Sequence, residues 1–345
     1  MRAGTAEDVA CLERKLPSNA VGVYAAHFAL QQAGEAAFLI ASEADRPLGV
    51  AMLLRTAVAP RATAAYPSVP HIAHLQVRED ARGLGTGTAL IEHAVELARA
   101  GGSAAVTISV TIDNDRAARL YSRLGFRRTN VLDEVAYLWT SSNGVGHDER
   151  EVQELLLKVL RPRSATRDEA VDAVARVAAA RTGLTLIGID GFGGAGKSTL
   201  AAAIAASVPG SVVVAVDDFA APIIPEWDWE RLRVQLLVPL LAGRTARYQA
   251  WDWHQNIGGE WLEVRPRGVV IVEGVSSTRV EVGAPWALTI WVRTPRELRL
   301  ARAIERDGEG MRWNWEQVWM PSENAYAARE RPQERVDLIV DGTSD

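Results

Sequence analysis

The sequence predicts an α/β protein built as two domains, a mixed-sheet domain followed by one whose parallel sheet is covered on both faces. Three observations carry this expectation. At 345 residues the chain exceeds the usual size of a single domain. Short apolar runs alternate with helix-forming stretches along its length, the pattern of strands and helices laid in layers. Twice, at Arg82–Gly87 and at Gly191–Ser198, a glycine-rich loop stands between an apolar run and a helix-forming stretch.

In the first domain, residues 1–142, strands are expected at Ala37–Ala41, Gly49–Arg55, Ile72–Val77, Ala104–Val110 and Val135–Trp139, with helices at Ala6–Leu16, Gly87–Arg99 and Asp115–Leu124. The polar, glycine-bearing segment Ser141–Asp148 reads as an interdomain linker, so residues 143–182 are expected to be linker and connecting helices, at Glu149–Leu160 and Asp168–Arg181. In the second domain, residues 183–345, apolar strands at Leu184–Ile189, Val212–Val216, Val269–Val272, Leu288–Val292 and Leu338–Val340 are separated by helical stretches, as in a parallel sheet buried on both faces.

Composition narrows the function. A net charge of −5 argues against bulk nucleic-acid binding, which needs a concentration of Lys and Arg. The longest uncharged stretch, Leu200–Val216, is interrupted at Pro209-Gly210, so no membrane span is expected. One cysteine, Cys11, cannot form an internal disulfide, and Arg2, Glu7, Asp8 and Glu13 interrupt any apolar start; a cytoplasmic protein is expected. The sequence leaves the oligomeric state open.

Gly191-Phe192-Gly193-Gly194-Ala195-Gly196-Lys197-Ser198 fits the pattern G-x-x-x-x-G-K-[ST], and Thr199 continues into a helix-forming run. Glycines there let successive backbone N–H groups turn inward on a triphosphate, and the helix start adds its positive dipole end. Lys197 is placed to reach the outer phosphates and Ser198 to ligate Mg²⁺. Phosphoryl transfer also needs carboxylates for the metal and for the acceptor hydroxyl. Asp217 is the candidate general base and Glu273 the metal ligand, each at the end of an apolar run, with Asp218 competing for either role.

Arg82-Gly83-Leu84-Gly85-Thr86-Gly87, followed by Thr88, offers the same physics to an anionic pyrophosphate, but no Lys-Ser/Thr pair follows it, so no metal-bound triphosphate is implied. Further on, Asn114 leads a helix that ends at Leu124-Gly125-Phe126. This first half resembles the GNAT acyltransferases, whose Arg-x-x-Gly-x-Gly loop and Asn…Ala…Leu-Tyr…Leu-Gly-Phe ending match Arg82–Gly87 and Asn114–Phe126. The resemblance implies acetyl-CoA as cofactor: Leu75, Gln76 and Val77 along the pantetheine arm, Arg82, Gly83, Gly85, Thr86, Gly87 and Thr88 at the pyrophosphate, Asn114 against the cofactor, and Tyr121 donating a proton to the departing thiolate. A phenol, protonated at neutral pH, suits that last task. For the base that would deprotonate an amine, Glu35, His71, His74 and Glu79 remain open, and the six histidines and one cysteine give no zinc spacing.

From Leu184 to Gly342 the chain resembles the uridine kinase-like P-loop kinases, on the loop itself, on Asp217-Asp218-Phe219, on Glu273-Gly274 and on Arg302-Ala303-Ile304-Glu305-Arg306-Asp307. The resemblance implies ATP and Mg²⁺ as cofactors, with Arg306, aided by Arg302 and Arg312, closing over the transferring phosphoryl group. Ala220 stands where nucleoside kinases usually carry a tyrosine, and ten of the eleven tryptophans lie between Trp227 and Trp319, either padding the core or walling an acceptor site. Together the halves predict an N-acetyltransferase fused to a kinase acting on a small-molecule hydroxyl, or, alternatively, a single enzyme regulated by its other nucleotide-binding half.

Overall fold

The computed structural model describes all residues except 19–20, 45, 141–144, 221–226, 254 and 344–345. The chain divides into two compact units, Met1–Leu160 and Arg161–Asp345.

The first unit runs β1 (Arg2–Ala3), α1 (Ala6–Lys15), α2 (Val23–Gln32), β2 (Ala36–Glu43), β3 (Arg46–Leu54), α3 (Pro60–Ala65), β4 (His71–Val77), α4 (Thr86–Ala100), β5 (Ala105–Thr111), α5 (Asp115–Arg123), β6 (Arg127–Thr140) and β7 (Gly146–Val159). Its strands form one sheet in the order β1-β2-β3-β4-β5-β7-β6. Only β4 and β5 pair in parallel; the other neighbours are antiparallel, so the sheet is mixed as expected. One apolar layer gathers Leu90, Ile91, Ala94 and Val95 of α4 with Tyr121 of α5. A second gathers Leu12 of α1 and Tyr24 of α2 with Phe38, Val50 and Met52.

The structure corrects the expected boundary at residue 142. In the stretch Glu149–Leu160, read as a connecting helix, all but Leu160 is instead the body of β7, inserted between β5 and β6. Charged residues among leucines suit a helix face as well as a strand, and periodicity cannot separate the two over a short run. The decisive feature is Glu154, buried at 3% exposure, where its carboxylate accepts from Arg128 Nη1 at 2.5 Å and from the backbone N–H of Asn130 at 3.1 Å. Within the expected linker, residues 141–144 lie outside the described residues, and Gly146–Asp148 already belong to β7. Helices α2 and α3 have no counterpart in the sequence reading.

The second unit begins with β8 (Arg163–Ala165) and α6 (Arg167–Ala179), where a helix was expected, capped by Thr166 and Glu169 in a reciprocal capping box. It continues through β9 (Leu184–Gly191), α7 (Lys197–Ser207), β10 (Val212–Ala215), α8 (Trp229–Leu232), α9 (Val238–Leu241), the hairpin β11 (Ala246–Asp252) and β12 (Ile257–Val264), β13 (Gly268–Glu273), β14 (Leu288–Arg293), α10 (Arg296–Asp307), α11 (Arg312–Asn314), α12 (Met320–Glu330) and β15 (Leu338–Asp341). Six strands pair in parallel in the order β10-β13-β9-β14-β15-β8. Near-continuous burial of β9, β13 and β14 explains why they read as unbroken apolar runs. The β11–β12 hairpin, a separate two-stranded ribbon, was not foreseen. Trp227, Trp286, Trp291 and Trp315 are buried, whereas Trp253, Trp261 and Trp313 are exposed, so the tryptophans divide between core and surface. Among the described residues no helix is long and apolar enough to cross a membrane.

Candidate active sites

Strand β9 lies at the centre of the parallel sheet and delivers its C-terminal end into the loop Gly191–Gly196, from which α7 starts. The glycines are required by packing. A Cβ at Gly194, whose φ is +71°, would lie 2.4 Å from the carbonyl oxygen of Arg299, and one at Gly193 would lie 2.6 Å from the Trp315 ring. Gly196, at φ +99°, is the left-handed N-cap that frees the first amides of α7 to face an anion. Lys197 opens that helix, 8% exposed, with its ammonium donating to the Phe192 carbonyl at 2.8 Å. Ala195 is fully buried in the loop, and its carbonyl accepts from Thr294 Oγ1 at 2.9 Å. Beside the loop, Thr199 shares a cleft with Arg167, Gly196, Arg302 and Gly342.

Ser198 and Glu273, 75 residues apart, meet here: the serine hydroxyl donates to Glu273 Oε1 at 2.9 Å. Glu273 ends β13, directly beside β9. Burial raises its pKa, opposed by the charge of Lys197 and the serine hydrogen bond. A hydroxyl oxygen and one carboxylate are the hard ligands that Mg²⁺ takes when substrate phosphates and water supply the rest. Among the described residues no group of three or more His, Cys, Asp or Glu converges as a self-sufficient metal cage.

Asp217 and Asp218 occupy a single 3₁₀ turn, Val216–Phe219, after β10. Asp217 is exposed, and its carbonyl accepts from Trp253 Nε1 at 3.3 Å. Asp218 turns the other way, half-buried, and accepts from the Tyr248 hydroxyl at 3.1 Å; burial raises its pKa. Tyr248 comes from β11, so the unforeseen hairpin brings a phenol to the acid turn although Ala220 follows that turn in sequence. The arginines are less assembled than expected. Arg306, at the end of α10, forks onto Asp307, with Nε donating at 2.7 Å and Nη2 at 3.0 Å. Arg302 Nη1 donates to the Gly342 carbonyl at 2.8 Å, and Arg312 pairs with Glu309 on the surface.

Two supports of this site were not legible in the sequence. Asp190, fully buried just before the loop, accepts from the N–H groups of Gly191, Ser276 and Thr278 and from the hydroxyls of Thr278 and Tyr326. Glu323 on α12 accepts from Gly193 N–H at 3.0 Å, and Arg299 Nη1 donates to its other oxygen at 3.3 Å. Both are contacts across long stretches of chain, and only three-dimensional packing creates them.

In the first unit, β4 holds the second candidate site. Its ladder with β3 shifts register between Val50 and Met52, giving β4 one extra residue, and His74 there adopts φ +50°. Pairing with β5 stops at His71↔Thr107 and Ile72↔Ile108, so beyond the bulge the two strands part. The edge of Leu75, Gln76 and Val77 that would face β5 is thereby open for an extended ligand. Arg82, Gly83 and Gly85 lead into α4; the two glycines take φ +84° and +88° with open space where a Cβ would sit, and Gly87 and Thr88 follow in the first turn after Thr86. Arg82 Nε donates to the Val77 carbonyl at 3.2 Å, tying the loop to the open strand. Tyr121 packs in the layer that includes Leu75 and Val77, and burial raises its pKa, keeping the phenol protonated. Asn114 uses its side-chain oxygen to cap α5 by accepting from Ala117 N–H at 3.1 Å, which leaves its amide NH₂ as the group for any cofactor contact.

Residues 10–126 match the acetyltransferase (GNAT) family model. The N-terminal unit carries a GNAT acetyltransferase domain. Among solved structures, an N-acetyltransferase from Staphylococcus aureus Mu50 is similar at 15% identity and TM-score 0.35, over 46% of this chain and 97% of that one. YncA of Salmonella typhimurium, solved with acetyl-CoA as its cofactor, is similar at 18% identity and TM-score 0.35, over 48% and 95%. A possible uridine kinase from Bacillus stearothermophilus is similar at 19% identity and TM-score 0.40, over 50% and 98%. No curated protein matches the chain. The C-terminal unit, with its six parallel strands and its loop between β9 and α7, has the P-loop NTPase-type fold.

Proposed function

We propose that the chain is a two-activity enzyme, an acetyl-CoA-dependent N-acetyltransferase in its first unit and an ATP-dependent kinase of a small-molecule hydroxyl in its second. The observation that carries the kinase reading is the 2.9 Å bond from Ser198 to Glu273, which unites the phosphate loop with a carboxylate at the end of the adjacent strand. Ser198 and Glu273 would hold Mg²⁺, which supplies charge neutralisation to the phosphates when bound. The free amides at the start of α7 would cradle the phosphates, and Lys197 would leave the Phe192 carbonyl to meet their outer charge. Exposed Asp217 would accept the proton of the acceptor hydroxyl. Arg306 would turn from Asp307 towards the transferring group, where a guanidinium suits spread negative charge.

In the first unit the open edge of β4 would bind the pantetheine arm, the Arg82–Thr88 loop its pyrophosphate, and Tyr121 would protonate the departing thiolate. The acceptors are small molecules, and the single cysteine, Cys11, supports a cytoplasmic setting. A screen of nucleosides, amino alcohols and aminoglycoside-like amines, with ATP·Mg²⁺ and acetyl-CoA supplied separately and read by mass gain of the acceptor, tests both halves. Mass gain of a phosphoryl group that survives Lys197→Ala would refute the kinase site. Acetylation unchanged in Tyr121→Phe would refute the role given to the phenol.

A further inference from the structure

The base for the acetyl transfer is the missing part of the first site, and the β4 bulge supplies it. We propose that His74 takes the proton of the acceptor amine, with His27 as the positioning residue behind it. The inference rests on the acetyltransferase reading of this unit.

Geometry comes first. The bulge is the point at which β4 leaves β5, and His74 is the residue that turns there. A pantetheine arm whose pyrophosphate lies at Arg82–Thr86 runs back along Val77, Gln76 and Leu75, so its thioester end arrives beside residue 74. His74 is solvent-exposed, open to an incoming amine. Its ring leans on that of His27 from α2, with centroids 4.6 Å apart. His27 is itself 4% exposed, wedged edge-on against Phe38 at 5.4 Å and Tyr24 at 6.2 Å, and its Nδ1 has no hydrogen-bond partner. This is an unusual place for an imidazole. A buried ring nitrogen without a partner costs stability, and its contact with an accessible imidazole at the strand opening gives that cost a purpose.

The other candidates fall away on position. His71 is buried and its Nδ1 is engaged with Thr107 Oγ1 at 3.0 Å. Glu35 precedes β2, at the end of the sheet where Ala36, Leu54 and His71 align. Glu79 lies beyond β4 in the exposed turn towards Arg82. Packing that excludes water from part of its ring lowers the pKa of His74 although the residue reaches solvent, and burial together with His74 lowers that of His27 to about 4, so the uncharged form is favoured at both rings at neutral pH. In the reaction the amine nitrogen bonds to the thioester carbonyl carbon, the carbon–sulfur bond breaks, the amine proton passes to a His74 ring nitrogen, and Tyr121 protonates the coenzyme A thiolate.

Bromoacetyl-CoA tests this without knowledge of the acceptor. A neutral imidazole beside the acyl end displaces bromide, forming a nitrogen–carbon bond that leaves one coenzyme A adduct on the ring. In the full chain carrying Cys11→Ala, which removes the competing thiol, the adduct should map to His74, be blocked by excess acetyl-CoA, and fall at least tenfold in rate in His74→Gln. His27→Phe keeps a packed ring without nitrogens; it should lower the maximal alkylation rate at least threefold while the bromoacetyl-CoA concentration giving half that rate stays unchanged. An acetyl-CoA-protected adduct on another residue, or no adduct while calorimetry shows acetyl-CoA bound, overturns the proposal alone. Absence of acetyl-CoA binding overturns the cofactor reading and the proposal with it.

Discussion

Asp190→Asn should destabilise the C-terminal unit by about 3 kcal/mol while leaving the N-terminal unit untouched. The native carboxylate accepts five hydrogen bonds: from Gly191 N–H at 2.7 Å and Ser276 N–H at 2.8 Å on one oxygen, and from Thr278 N–H at 3.1 Å, Thr278 Oγ1 at 2.7 Å and Tyr326 OH at 2.7 Å on the other. Asparagine keeps one oxygen, which the Gly191 and Ser276 amides can retain. Its NH₂ then meets the Thr278 N–H donor to donor, and that amide cannot rotate away. An unpaired buried donor costs about 1–3 kcal/mol, and the loss of charge weakens the remaining bonds by roughly a further 1 kcal/mol in sum. The two hydroxyls can turn and accept, which limits the damage. For a unit of this size about 3 kcal/mol corresponds to a fall in Tm of roughly 6–12 °C. Differential scanning calorimetry with and without acetyl-CoA identifies the N-terminal transition by its ligand shift, and that transition should stay in place. Tyr326→Phe removes one donor and should cost about 1 kcal/mol, less than additively with Asp190→Asn because both act on one carboxylate. A C-terminal Tm within 2 °C of wild type in Asp190→Asn would refute the assignment of Asp190 as the anchor joining the phosphate loop to the Ser276–Thr278 turn.

Lys197→Ala should abolish ATP turnover, by at least a hundredfold, with acetyl-CoA affinity unchanged by calorimetry. Gly193→Ala forces a methyl group into the space held by the Trp315 ring and Glu323 Oε1, which would lie 2.6 and 2.7 Å from it; ATP affinity should fall at least tenfold and tryptophan emission should change. The N-terminal unit should lose stability in acid: burial and the nearby His74 hold His27 and His71 at pKa values of about 4 against 6.5. A depressed folded-state pKa gives stability that is present above pH 6.5 and lost as pH falls towards 4, at about 1.4 kcal/mol per pH unit for each ring. Thermal unfolding of His71→Asn between pH 7 and 4.5 should show about half the wild-type slope.

What the sequence carried, and what it hid, follow one physical division. Gly191–Ser198 and Arg82–Gly87 were legible as glycine-rich turns into helices because that geometry is local: glycines at positive φ and a helix start a few residues away. Strands β9, β13 and β14 were legible because a parallel sheet buried on both faces demands unbroken apolar runs. Strand β7 was not, because Glu154 in its middle is satisfied by Arg128 and Asn130 on its neighbour β6, and a buried carboxylate partnered across strands looks, in one dimension, like the polar face of a helix. Asp190, Glu323 and Tyr248 were hidden for the same reason. Each acts through a partner far along the chain, and the hairpin that presents Tyr248 turns at Asn256, at φ +56°, a local signal set among tryptophan-rich surroundings.

The two glycine-led helix starts are alike in backbone and differ in what surrounds them, and that difference suits them to different ligands. At Arg82–Thr88 the glycines leave open space and the neighbouring strand edge is unpaired, which suits a long ligand with a modest charge at one end. At Gly191–Ser198 the glycines are packed hard against Val292, Arg299 and Trp315, and acids crowd the loop. Glu273 and Glu323 are both buried, their pKa values raised by desolvation, and both feel the same Lys197 ammonium and the same Asp217. One ammonium cannot balance these carboxylates and a triphosphate together, even with Arg299 paired to Glu323. A divalent cation at Ser198 and Glu273, and a guanidinium released from Asp307, would supply the missing positive charge, so Glu273→Gln should weaken ATP binding in Mg²⁺ far more than in EDTA. Equal loss in both conditions would place Glu273 in the scaffold of the loop and remove the metal from this account.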